Sequence, residues 1–220
     1  MQKKILFYFV WFALLLIGPI TIHKTTPIPM MLADSGLMIS LIQRLTGLLA
    51  FTLLFIQIML GSNMIKMTEK FGGWIFKFHL TQGALTYVLI LIHPIFFVLL
   101  NFRIKGDLDP FYVFTDVCIL CKNKAEFFYT FGRVGFWLTT TAVAAAALRV
   151  QPWFRVHWRK FHILNYFTFF LVGFHGLKVG TDFSSPPFVW FAYISETIVL
   201  LTLVYKIAHK YLPNIRKTSL

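Results

Sequence analysis

Long uncharged stretches alternate with short, mostly basic segments along this chain. Six stretches approach or exceed the roughly 20 apolar residues a helix needs to cross a hydrocarbon core. They run Ile5 to Ile22, Leu37 to Leu60, Phe78 to Phe102, Phe127 to Leu148, Phe161 to Leu177 and Phe183 to Tyr205. The pattern predicts an all-α polytopic membrane protein, a bundle of six transmembrane helices forming one domain over residues 1–220. The longest segment left over, Arg103 to Glu126, is too short for a second domain. Only Arg44 in the second span, Arg133 in the fourth and Glu196 in the sixth place a charge well inside the apolar stretches.

Met1-Gln-Lys-Lys ahead of an apolar run resembles the front of a signal peptide, yet no small-x-small cleavage site follows Ile22, so an uncleaved first helix is expected. Assigning every cation to a side then orients the bundle. Lys3, Lys4, Lys66, Lys70, Lys77, Arg149, Arg155, Arg159, Lys160, Lys206, Lys210, Arg216 and Lys217 fall on one side. Lys24, Arg44, Arg103, Lys105, Lys122, Lys124, Arg133 and Lys178 fall on the other. Basic loops stay in the cytoplasm, which predicts a multi-pass plasma (bacterial inner) membrane protein with both termini cytoplasmic.

Composition agrees with this reading and removes others. At 58% apolar and 13% charged, the chain is too greasy for a soluble or disordered protein, and lipid is its expected surrounding. The net charge of +13 reports retained cytoplasmic loops, so no nucleic-acid partner is expected. There is no Gly-x-Gly-x-x-Gly after a strand, no Walker A loop and no Ser or Cys nucleophile motif. No catalytic residue is expected in the chain itself, and its chemistry depends on a bound group or a partner.

An ionisable side chain inside a span is costly and by default functional. His23, His157 and His209 flank spans and are expected at water or headgroups. His79 and His93 lie in the third span, His162 and His175 in the fifth, and these two spans cross in the same direction. At 1.5 Å per residue the rise is about 21 Å from His79 to His93 and about 19.5 Å from His162 to His175. The depths therefore match in pairs, His79 with His162 near the inner face and His93 with His175 near the outer. Two facing imidazoles are a ligand set for the iron of a planar macrocycle, which predicts two stacked b-type haems with these four histidines as metal ligands. No Cys-x-x-Cys-His is present to attach haem covalently. Polar contacts between helices are the bland alternative.

The helical angle adds a condition. Fourteen residues return an ideal helix to within about 40° of its starting face, whereas thirteen leave it about 140° away. Either the fifth span is locally distorted, with Gly173 as a candidate position, or the two haems are rotated around the bundle. Pro94, after His93, removes a backbone donor and is a candidate for loosening the third span.

The segments FHLTQGALTYVLILIHP and WRKFHILNYFTFFLVGFHGLKV resemble the ferric reductase-like transmembrane domain. That domain is shared by ferric reductases, NADPH oxidases and the haem subunit of the bacterial periplasmic methionine sulfoxide reductase system. The resemblance covers nearly the whole chain. It implies six helices with two haems on histidines of the third and fifth, hence axial ligation by His79, His93, His162 and His175, and it implies that a 13-residue spacing on the fifth helix is tolerated. The oxidases and reductases continue into a flavin and nicotinamide domain. No FAD or NAD site is found in these 220 residues, so the electrons are expected from a separate donor.

Around these ligands, Arg44 and Arg133 near the outer ends of their spans are candidates to pair with haem propionates, or else to snorkel to headgroups. Phe96, Phe97 and the Phe167 to Phe170 stretch are candidates to pack on or between macrocycles, with lipid contact as the alternative. Cys118 and Cys121 in the outer loop form a disulfide, act as a dithiol taking electrons from the outer haem, or have no special role. Asp107, Asp109 and Asp116 are weighed as an iron-docking cluster against simple solvation. Glu196 must pair, protonate or face a wet cavity.

The function expected is an integral membrane cytochrome b, an oxidoreductase subunit that moves electrons from a cytoplasmic flavoprotein reductase or quinol, through the inner and outer haems, to an extracytoplasmic acceptor. Ferric chelates, oxygen and a periplasmic redox protein are the acceptors considered. The rival is a haem-free transporter that uses the intramembrane His and Glu for proton or ion coupling.

Overall fold

A computed structural model describes residues 2–211, with the side chains of Ile28, Lys210 and Tyr211 left aside. Arg216 and Lys217, used above to orient the chain, lie outside the described residues. The chain is all helical, with no strand among the described residues: α1 (Gln2–Thr25), α2 (Ile28–Ala33), α3 (Ser35–Ser62), α4 (Met64–Phe71), α5 (Trp74–Lys105), α6 (Tyr112–Thr115), α7 (Lys124–Ala147), α8 (Pro152–His162), α9 (Leu164–Val179) and α10 (Phe188–Tyr211). Five of these, α1, α3, α5, α7 and α10, are long and apolar enough to cross a membrane.

Two helices start on a polar cap and two stop on a glycine. The Asp34 carboxylate accepts from the Leu37 amide to start α3, and the Asn123 side chain accepts from Ala125 to start α7. Gly72 and Gly106 end α4 and α5 with positive φ values of 95° and 76°, backbone that a side chain would strain.

The fifth expected span departs from a single continuous helix. It is split into α8 and the 16-residue α9, with Ile163 forming a turn between them. The irregularity follows His162 directly and is not at Gly173, which lies in regular helix. α5, by contrast, runs unbroken through Pro94.

α3 is the centre of the bundle, packed on α1, α5, α9 and α10, while α7 packs on α8 and α9. The core is aromatic: Phe51 of α3 stacks on Phe169 of α9 at 4.6 Å and meets Phe183, Phe188 and Phe191. Each such pair contributes about 0.5–1.5 kcal/mol beyond area burial. Outward, α1 shows Ile5, Leu6, Phe9 and Phe12, and α10 shows Trp190, Ile194 and Leu201, an apolar surface suited to lipid.

The two ends of the bundle differ in chemistry. Lys3 of α1 donates to the Lys70 carbonyl at the end of α4, and Lys206 of α10 donates to the Ser62 carbonyl at 2.6 Å, so both ends of the described chain share one face. At the opposite end Thr25 of α1 and Arg44 of α3 converge on Asp182 in the α9–α10 connection.

Candidate cofactor site

Three glycines determine where the histidine rings rest. A Cβ on Gly47 of α3 would lie 2.8 Å from Cε1 of His93, and one on Gly61 would lie 3.3 Å from Cε1 of His79. The fourteen residues between the glycines equal the fourteen between the histidines, as antiparallel packing of α3 on α5 requires. In the other half of the bundle, a Cβ on Gly132 of α7 would lie 3.0 Å from Cε1 of His175.

The two outer rings are also hydrogen-bonded alike. Nδ1 of His93 meets the carbonyl of Gln43 at 2.8 Å, and Nδ1 of His175 meets that of Phe128 at 3.0 Å. Each carbonyl belongs to the residue four before the glycine that carries the ring, so one arrangement of carbonyl, glycine and imidazole occurs twice. A carbonyl can only accept, so Nδ1 carries the proton in both rings and Nε2 keeps its lone pair. That is the tautomer a metal-binding imidazole needs, held by the contact that usually orients one.

His93 and His175 line a single cavity of about 370 Å³, together with Gly47, Gly132, Phe97, Tyr129, Phe136 and other mainly apolar groups. This is within the range of small-molecule sites. Thr168, on α9 between His162 of α8 and His175, also faces the cavity, and its hydroxyl is buried without a hydrogen-bond partner.

The inner pair sits between α5 and the α8–α9 junction. The rings of His79 and His162 have centroids 6.4 Å apart and planes inclined at 73°. Metal–imidazole bonds of about 2.0–2.1 Å to one ion would set two ring centres roughly 6 to 6.5 Å apart, a length that this separation matches. Nδ1 of both rings and the side-chain oxygen of Asn165 are buried without partners, polar atoms left over in an otherwise satisfied interior. Among the described residues no three His, Cys, Asp or Glu side chains gather to hold a bare metal ion. Two pairs of imidazoles suit instead a group that brings most of its own ligands, as a porphyrin iron does.

Both arginines weighed as propionate partners line the outer cavity and already engage protein groups. Arg44 pairs with Asp182 and also donates to Thr25 at 2.9 Å and Thr26 at 3.2 Å. Arg133, only 3% exposed, donates to the carbonyls of Tyr112 and Asp116, contacts Glu126 at 3.3 Å and lies over the Tyr112 ring. The phenol of Tyr112 donates to Glu126, so α6 is tied to the first turn of α7. Of the phenylalanines proposed to pack on the macrocycles, Phe97 faces this cavity, whereas Phe169 lies in the aromatic core beside Phe51.

Cys118 and Cys121 are joined as a disulfide. The three loop aspartates form no cluster. Asp109 caps the start of α6 through the Phe111 and Tyr112 amides, and Asp116 uses its backbone carbonyl on Arg133. The Glu196 carboxylate occupies the notch that Gly173 leaves in α9.

Sequence reasoning missed Asp182, Gln43 and the three ring-bearing glycines. The matching 14-residue spacings of Gly47–Gly61 and His79–His93 were the signal that could have found two of them. Compared with known proteins, the chain matches no family model, no curated protein and no solved structure.

Proposed function

We propose that this chain is a six-span di-haem cytochrome b of the ferric reductase-like kind, with the end of α8 from Phe161 and the whole of α9 making the fifth crossing. In this reading His79 and His162 hold an inner b-type haem, and His93 and His175 an outer one. Bound there, the haems supply reversible one-electron chemistry across the membrane, from a cytoplasmic flavoprotein reductase or quinol to an extracytoplasmic acceptor.

The observation that carries the reading is the pairing of four half-buried histidines, His79 with His162 and His93 with His175, with the latter two held in the tautomer that leaves Nε2 free to ligate. The chain's own residues do the positioning. Gly47, Gly61 and Gly132 let the rings seat against the helix backbones, Gln43 and Phe128 fix the outer rings, and the apolar wall keeps bulk water away. Arg44 and Arg133 line the outer cavity, but each is already paired with a carboxylate, Asp182 and Glu126, so either would have to exchange that partner to meet a propionate. The cation-rich face with both ends of the described chain is the cytoplasmic one under the positive-inside rule, and its basic loops suit an acidic donor protein.

Pyridine haemochrome analysis of the purified protein tests this. Two b haems per chain are expected. Less than one removes the proposal in favour of a haem-free transporter, for which proton-coupled uptake is then the assay.

A further inference from the structure

We propose that the Cys118–Cys121 disulfide is itself a redox site. It takes electrons that reach the outer haem and passes them on, as a dithiol, to a protein disulfide outside the membrane. The inference rests on the di-haem reading above.

Its first support is position. Thr130 Oγ1 accepts from the Cys118 amide at 2.9 Å and donates to the Cys118 carbonyl at 3.1 Å. Thr130 stands between Tyr129, which lines the outer cavity, and Gly132, which carries the His175 ring. Arg133 holds the Asp116 carbonyl on the same stretch of loop. The disulfide is thus fastened to the wall that seats the outer ligand.

Fold stability gives little reason for it to exist. The two cysteines are separated by three positions, and a ring that small restrains the unfolded chain least. The loop is already braced by Arg133, Tyr112 and Glu126.

The disulfide is also reachable. Between the cysteines, Ile119 is 73% and Leu120 is 97% exposed, and the cysteines themselves are half-buried, so a partner protein has a route to the sulfurs. Cys121 is followed by Lys122 and lies just ahead of the N-terminus of α7, where positive potential favours a thiolate. Cys121 is therefore the attacking thiol, and Cys118, tied to Thr130 through its backbone, the resolving one.

The electrons and atoms balance. The S–S bond takes two electrons and two protons and gives two thiols. Two ferrous haems give up one electron each, and the outer water supplies the protons. The Cys121 thiolate then attacks one sulfur of the partner's disulfide, forming a mixed disulfide and releasing a partner thiolate. Cys118 displaces the second partner sulfur, so the partner leaves as a dithiol and the Cys118–Cys121 bond re-forms.

The test uses the full-length, haem-loaded protein in lipid nanodiscs, titrated anaerobically with dithionite, with thiols trapped at each step by a maleimide polymer that shifts the chain's mass. These are the only two cysteines in the sequence, so the shift reads the site directly. Labelling is expected to appear as the Soret band moves, and to be lost in His175→Ala, which retains the inner haem. Oxidised thioredoxin, a protein disulfide, is expected to reoxidise the wild-type haems and to leave those of the Cys118→Ser/Cys121→Ser protein reduced. Reduced haems with unlabelled cysteines would overturn the proposal. Equal labelling in His175→Ala, or equal reoxidation of the double variant, would overturn it as well. Wild-type protein without a Soret band fails earlier, and takes the di-haem reading down with it.

Discussion

His93 and His175 are held by the same device in two halves of the bundle: each ring lies against a glycine of the antiparallel neighbour and is hydrogen-bonded to the carbonyl four residues before that glycine. Neither the glycine nor the carbonyl alone specifies a ring orientation. Together they fix its distance from the backbone and its tautomer, so a substitution at the glycine displaces the ring without touching its chemistry.

Gly47→Ala and Gly132→Ala are accordingly expected to weaken the outer site and spare the inner. A methyl 2.8 Å or 3.0 Å from an imidazole carbon must push the ring aside, an overpacking cost of about 1–3 kcal/mol. Gly61→Ala, with 3.3 Å to the His79 ring, should be milder. Haem content per chain, measured beside thermal unfolding, separates a displaced ligand from a misfolded protein.

Single replacements of His93 or His175 by Ala should remove the outer haem signal and keep the inner, and replacements of His79 or His162 should do the reverse. Redox titration, in which two components become one, reads the result. A variant that retained both components would break the pairing.

Arg44 and Asp182 form a largely buried ion pair, with side chains 18% and 2% exposed, that ties α3 to the α9–α10 connection. Removing one partner leaves a charge without its counterpart, so Asp182→Asn or Arg44→Ala should cost up to about 3–5 kcal/mol, with the Arg44 loss at the lower end because that side chain reaches water. A double Arg44→Met/Asp182→Leu variant should recover part of the loss. Chemical unfolding in detergent measures all three.

The outer loop should loosen at high pH. Burial, followed by the neighbouring Glu126 carboxylate, pushes the Tyr112 phenol up to about 12 from an ordinary value of 10. The folded state therefore prefers the neutral phenol. The stability this contributes is complete below pH 10 and is lost as pH rises from 10 towards 12. Limited proteolysis of the loop should accelerate across that window in the wild type, and Tyr112→Phe should flatten the pH dependence.

Much of this was legible in the chain. The apolar runs gave four of the five long helices to within four residues at either end, because length and hydropathy are local properties, while α10 begins five residues later than expected. The pairing of His79 with His162 followed from rise per residue, and of the two outcomes that the 13-residue spacing left open, a local distortion or haems rotated around the bundle, the chain shows a break in the helix. Its position was not legible: the turn falls at Ile163, beside His162, whereas the candidate position, Gly173, serves as the notch for Glu196. The partner of Arg44 was hidden because Asp182 is 138 positions away, and only the packing of α1, α3 and the α9–α10 connection brings them together. The ring-bearing glycines needed the register of two helix pairs, which no single segment contains.

The most direct test of the central claim is the dithionite-reduced minus oxidised optical spectrum of the purified wild-type protein. The account predicts a b-type Soret and α-band difference that diminishes in His93→Ala and His79→Ala separately and vanishes when both are combined. A flat difference spectrum from folded, monodisperse protein would contradict it.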